Sequence, residues 1–337
     1  MDPGSVPHVD HVSHGGTADH TLVDFSLGSN PERPKGLASV YESSLSTSRR
    51  YSLDDYAGFR VAAADFVGCE PQHIIPAAGV VDAIRLAVGV TVSPGDTVAI
   101  PAPCCGEYTR EVRLQGGTPV EISHESMLAD TDPDEHAAVI LSNPGNPTGA
   151  AYPTEELRAF LCECQYADTP VLVDESYLGF TALPSVAGLD GVIALHSVTN
   201  VFGVPALRAG FAAATGELRD RLNRARCTWV LSSPAVEVAT YCLKQTDFLE
   251  ETRERIKTEC PKIIDELSRL GYEPYPADSS LILFRAPDVD HALEVTRSHG
   301  FALRDARFYE GLDSHIRMNI RRPHENERLL DALAEAI

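Results

Sequence analysis

The chain has 337 residues, of which 43% are hydrophobic and 23% charged, enough apolar material for a large core and too much for a disordered chain. Its 49 acidic residues against 28 basic ones give a formal charge of −21, which disfavours nucleic acid and anionic membranes as partners, since both call for basic surface. Only Lys35, Lys244, Lys257 and Lys262 are lysines, the other 24 basic residues being arginine, and an acidic, lysine-poor surface suits a cytoplasm at high salt.

The first 45 or so residues are rich in Gly, Ser and Pro with little periodicity, and read as an arm (1–45) that packs on the small domain. They carry Asp and His where a basic stretch and an apolar one would mark a secretory signal, and no run of about 18 apolar residues occurs anywhere, so a cytoplasmic protein is expected. Residues 46–233 then alternate helical and extended patterns. Tyr56–Val67 and Val81–Val90 have helical spacing, and Thr97–Ile100 is a short apolar run behind Pro94-Gly95-Asp96. Ala137–Leu141, Val171–Val173 and Val192–Leu195 are strands, with a helix at Glu155–Cys164 that Thr154 would cap behind Pro153. Such near-continuous Val/Ile/Leu/Ala strands are those covered on both faces, which predicts an α/β fold with a mostly parallel sheet between two helical layers. From 234 to 337 the pattern becomes that of a small α+β domain. A long charged helix, Asp247–Arg269, with Pro261 as a kink or break, leads into Leu281–Arg285, His291–His299, Phe301–Arg304, Ile316–Ile320 and a closing helix to Ile337. The eight cysteines match no four-ligand zinc spacing, so no metal is expected.

Three stretches carry chemistry, each directly after a buried strand. Ser142-Asn143-Pro144-Gly145-Asn146-Pro147-Thr148-Gly149 is a Pro/Gly loop. Leu172-Val173-Asp174-Glu175-Ser176-Tyr177 delivers an Asp at a strand's C-terminal end, the edge where parallel sheets bind ligands. The third runs from Ser197-Val198-Thr199-Asn200 to Arg208-Ala209-Gly210. In this order, with Asp174 28 positions after Asn146 and Asn200 26 positions after Asp174, they resemble the large domain of fold-type I pyridoxal-phosphate enzymes of the aminotransferase class I/II group. That resemblance implies pyridoxal phosphate as cofactor. It places Asn146 and Tyr177 at the cofactor's phenolic oxygen, Asp174 at its pyridinium nitrogen, and Ser197, Thr199 and Arg208 on its phosphate. A carboxylate beside the ring nitrogen keeps it protonated, so that the ring accepts electrons from the substrate. Tyr51 matches a tyrosine that reaches the phosphate of a neighbouring subunit, which implies a homodimer.

The ends of the chain resemble threonine-phosphate decarboxylase, a cobalamin-pathway relative of histidinol-phosphate aminotransferase. His14-Gly15-Gly16 with Asn30-Pro31, and Leu303-Arg304 with Gly311-Leu312-Asp313-Ser314 and Asn319-Ile320-Arg321, carry the likeness. By it, His14, Gly15, Asn30, Asn146, Arg304 and Arg321 would bind a small amino acid bearing both a phosphate and a carboxylate, anions that a planar guanidinium suits.

The chain departs from the family pattern where catalysis is concentrated. Asn200 stands at the place of the lysine that binds the cofactor covalently, and an amide cannot form that bond or move the substrate's α-proton. Cys105 stands where an aromatic ring stacks on the cofactor, and Gly79-Val80 opens the phosphate-binding helix without the usual hydroxyl. The resemblance therefore implies a decarboxylase- or aminotransferase-like protein with impaired or altered activity; the alternative is a non-catalytic binding or regulatory homologue that keeps the fold. A dinucleotide-dependent oxidoreductase is disfavoured, since no G-x-G-x-x-G follows the first strand.

Overall fold

The computed structural model describes residues 1–337. The chain opens with a long arm containing strand β1 (Val23–Asp24) and helix α1 (Leu37–Thr47), followed by α2 (Ala57–Val67). A seven-stranded sheet comes next: β2 (Ile74–Ala77), β3 (Thr97–Ala102), β4 (Thr118–Ser123), β5 (Ala138–Ser142), β6 (Val171–Asp174), β7 (Val192–Ser197) and β8 (Gly210–Ala213). Their spatial order is β2-β8-β7-β6-β5-β3-β4, and only β8 runs antiparallel, to β7 on one side and β2 on the other. Between the strands lie α3 (Val80–Thr91), α4 (Gly106–Leu114), α5 (Met127–Asp130) and α6 (Thr154–Tyr166), with α7 (Gly216–Ala225) after β8.

Period-two alternation explains why this sheet is covered on both sides. Val139, Leu141, Val171, Val173, Val192 and Ala194 face one core with α2 and α6, while Ala138, Ile140, Leu172, Ile193 and Leu195 face the other with α3, α4 and α7. The apolar strands predicted from sequence are therefore central strands. The edge strand β4, half-exposed and interrupted by Pro119, carries no such signature, nor does the short β8.

The C-terminal part contains α8 (Ser233–Leu243), α9 (Thr246–Arg269), β9 (Glu273–Pro274), β10 (Leu281–Arg285), α10 (Val289–Ser298), β11 (Phe301–Ala302), β12 (Arg304–Asp305), β13 (His315–Asn319) and α11 (Pro323–Ala334). Four of its strands form an antiparallel sheet in the order β12-β13-β10-β9, and β11 leaves it to pair in parallel with β1 of the arm. One core cluster runs from Phe25 through the large sheet to Leu333 and Ala336, so a boundary at residue 233 divides no core.

Three local expectations change. Helix α6 starts at Thr154 itself, with Pro153 in the capping position and no side-chain cap. Pro261 does not break α9, which is continuous over 24 residues; the buried stripe Leu249, Ile256, Cys260, Ile263 and Leu267 holds both halves on one core, and packing outweighs the missing N–H. The arm 1–45 does not lie on the small domain alone. Its first fifteen residues cross α4, where the Asp2 amide donates to the Leu114 carbonyl at 2.8 Å and Arg110 donates to the Asp10 carbonyl at 3.2 Å, while α1 packs on α8.

Candidate functional site

The C-terminal ends of β5, β6 and β7 open onto the arm and the four-stranded sheet, and Asp174 is the central group. Its carboxylate is buried, accepting from the Tyr108 hydroxyl at 2.7 Å, from the Ser176 amide at 2.9 Å and from the Ser176 hydroxyl. Burial raises its pKa above the usual carboxylate value, the hydrogen bonds offsetting only part of that, so a cation placed beside it would relieve an existing cost. Tyr177 is buried nearby with its hydroxyl against Gly28, where a β-carbon would displace that oxygen.

A second cluster lies at the start of α3. Gly79 caps the helix at φ 89°, and a β-carbon there would come within 2.6 Å of the Arg208 guanidinium. The first-turn amides from Val80 onward have no carbonyls of their own helix to bond, and the hydroxyls of Ser197 and Thr199 lie 3.2 Å apart, both buried. Amides, two hydroxyls and a guanidinium form the donor set that a phosphate requires. Val80 contributes only its backbone. Cys105 caps α4 rather than stacking on anything, and burial pushes its thiol up to about 12.

Asn200 is half-buried, and its carbonyl accepts from the Asn30 amide at 2.9 Å. All four lysines are exposed, so no other amine takes a place in this pocket. Asn30 is itself committed: its side chain donates to the Val201 carbonyl at 2.8 Å and to Thr252, and accepts from Arg255 at 2.6 Å. It fixes the loop that carries Asn200 rather than opening toward a ligand.

Arg321, expected at the substrate, turns away. Its guanidinium pairs with Glu325 at 3.1 Å, donates to the Asp24 carbonyl at 2.9 Å and covers the Phe25 ring. The arginine that enters the pocket is Arg317, on β13. It donates to the Asn146 side-chain oxygen at 2.7 Å, to the Tyr309 hydroxyl at 2.9 Å and to the Ser26 carbonyl at 2.6 Å. Arg304 sits directly opposite Arg317 in the β12–β13 register. Its two terminal nitrogens donate to the carbonyls of Ser13 and His14, at 2.7 Å each, and its guanidinium covers Phe308. Both arginines are more than nine-tenths buried, and the Nε of each has no partner.

His14, 58% exposed, bonds Glu107 at 2.8 Å, which holds that carboxyl below its usual range. Gly15 lies against the Ser26 carbonyl, with Arg317 just beyond. Tyr51 is 80% exposed and stacks on Trp229 at 4.3 Å, outside this pocket. The sequence reading therefore missed Arg317, Tyr309, Tyr108 and Ser176. A signal for the first was present: Ile316, Met318 and Ile320 alternate as the apolar face of a strand, leaving 317 and 319 on the other face, and 321 lies past the strand's end.

Residues 35–335 match the family model described as aminotransferase class I and II. Histidinol-phosphate aminotransferase 2 of Archaeoglobus fulgidus is 28% identical over 327 residues, covering 94% of each chain. Among solved structures, L-threonine-O-3-phosphate decarboxylase from Porphyromonas gingivalis has a TM-score of 0.85 at 22% identity, covering 93% of this chain and 99% of that one. Histidinol-phosphate aminotransferase from Sinorhizobium meliloti, in complex with pyridoxal-5'-phosphate, has a TM-score of 0.82 at 20% identity, covering 93% and 90%. With the family model spanning most of its length and the parallel sheet of these neighbours at its centre, the chain belongs to the aminotransferase class I and II family and has the fold-type I pyridoxal-phosphate transferase fold.

Proposed function

We propose that this chain binds pyridoxal phosphate without a covalent anchor, together with a small amino acid that carries a phosphate and a carboxylate, and that it turns such a substrate over slowly by decarboxylation or amino transfer. The observation that carries the substrate class is the facing pair Arg304 and Arg317. Like charges directly opposite on neighbouring strands repel, and each buried Nε lacks an acceptor; an anion held by Arg317, and by Arg304 once the arm's carbonyls release it, would offset these costs.

The residues present fit the cofactor's two ends. Asp174 would accept from a protonated ring nitrogen, and the α3 amides, Ser197, Thr199 and Arg208 would hold a phosphate. When bound, the cofactor supplies an electron sink for charge developing at the substrate's α-carbon. Asn146 would orient the substrate through its amide, and Tyr177 would supply a hydroxyl beside the ring. Asn200 offers neither an amine to anchor the cofactor nor a base to carry a proton, which is the reason to expect slow turnover. A second copy of the chain is expected to complete the site, with Tyr51 extending to the partner's phosphate. The second reading, a non-catalytic homologue that binds ligand or partner, is favoured by the exposure of every lysine.

Absorbance titration with pyridoxal phosphate, with and without threonine phosphate, followed by borohydride reduction and mass analysis, tests the proposal. Saturable binding that leaves no covalent adduct after reduction is the expected outcome, with an adduct appearing in Asn200→Lys. If neither protein binds the cofactor under any condition, the proposal fails.

A further inference from the structure

Directly behind the pocket lies a buried carboxylate–imidazole contact that none of the steps above uses. Glu175 follows Asp174 at the end of β6, and His196 precedes Ser197 at the end of β7; adjacent residues of extended chain face opposite ways, so the two lie on the reverse side of the ligand-facing groups. The Glu175 carboxylate meets the His196 Nε2 at 2.7 Å, and both side chains are almost wholly buried. The same carboxylate accepts from the Ser185 hydroxyl and from the Val186 amide at 2.9 Å. The imidazole stacks on Phe211 of β8 with ring centres 4.7 Å apart and planes 20° from parallel, and meets the Phe66 ring edge-on. The Glu175 amide donates to the Leu195 carbonyl at 2.8 Å, carrying the β6–β7 ladder one residue past Asp174.

We propose that Glu175 and His196 are a positioning pair, a carboxylate–imidazole lock across the ends of β6 and β7 that sets the spacing between Asp174 and the Ser197/Thr199 hydroxyls. The proposal rests on the reading of those groups as the ring and phosphate ends of one ligand site. Three donors converge on the carboxylate and an aromatic ring holds the imidazole flat, so neither strand end can slip along the other without breaking buried hydrogen bonds. Replacing either residue frees that slip and leaves Asp174, Ser197 and Thr199 chemically intact. Only a ligand that engages both ends at once detects the change.

Glu175→Gln and His196→Gln, each checked by circular dichroism for a folded chain, are titrated beside the wild type with three probes. Pyridoxal phosphate engages both ends, pyridoxal only the ring end, and inorganic phosphate only the other. The expected result is a loss of about tenfold or more in affinity for pyridoxal phosphate, with pyridoxal and phosphate each changed by less than about threefold. Glu175→Gln, nearly isosteric, keeps the test open if His196→Gln does not fold. Affinity for pyridoxal phosphate within about threefold of wild type, or an equal loss for all three probes, overturns the positioning role. Failure of the wild type itself to bind pyridoxal phosphate overturns the reading of the site, and the positioning role with it.

Discussion

Asp174 shows how one side chain couples stability to ligand binding. Burial raises its pKa, so the folded protein holds that proton to higher pH than the unfolded chain does. Stability from this group is therefore lost as pH rises through its folded pKa, because above it the fold carries a poorly solvated charge. An amide at that position does not titrate. Asp174→Asn should thus gain stability relative to wild type as pH rises above the ordinary carboxylate range, read from thermal midpoints of the ligand-free proteins. The same variant should bind pyridoxal phosphate less tightly, having lost the charge that would meet a protonated ring. A stability difference that is flat with pH would show that Asp174 does not carry the raised pKa.

The end of a strand separates two arginines four residues apart, which parity alone would put on one face. On β13, Arg317 lies opposite Arg304 and reaches Asn146, whereas Arg321 lies beyond the strand, bound to Glu325 and the Asp24 carbonyl. Arg317→Ala should lower the affinity for threonine phosphate by about tenfold or more, the cost of a charge-assisted hydrogen bond, with little change in fold. Arg321→Ala should leave that affinity within about threefold and lower the unfolding free energy by about 1 kcal/mol, through the lost ion pair and the contact with Phe25. Calorimetric titration and urea denaturation of the two variants measure both quantities; a reversed pattern would return Arg321 to the site. The apolar alternation of 316, 318 and 320 put 317 on the polar face of a strand, but that Arg321 falls outside it rests on the strand ending at Asn319, which the sequence did not show. Why Pro261 sits inside α9 was not readable from local sequence, since a proline looks like a break until the buried stripe on both sides of it is seen to pack on one core.

Net charge acts on the entire chain. At −21, self-repulsion opposes the compact state, and salt screens it over a Debye length of about 10 Å at 0.1 M and about 3 Å at 1 M. The thermal midpoint should therefore rise steadily between about 0.1 M and about 2 M potassium chloride. A midpoint indifferent to salt would remove the case for a protein adapted to concentrated salt.

The sequence by itself determined the central strands and, through its resemblance, the family, and that resemblance named the groups proposed to hold a ring nitrogen and a phosphate. The strands follow from a short-range rule, since a strand covered on both faces must be apolar throughout, and the motifs that carry the resemblance are each a few contiguous residues. It also showed the asparagine at 200. Only the tertiary structure decided which of two arginines enters the pocket, that Asn30 is spent on the loop carrying Asn200, that the arm's carbonyls occupy Arg304, and that Glu175 and His196 meet behind Asp174. Each of those depends on partners far apart in the chain, and a side chain's chemistry is set by what it is packed against as much as by what it is.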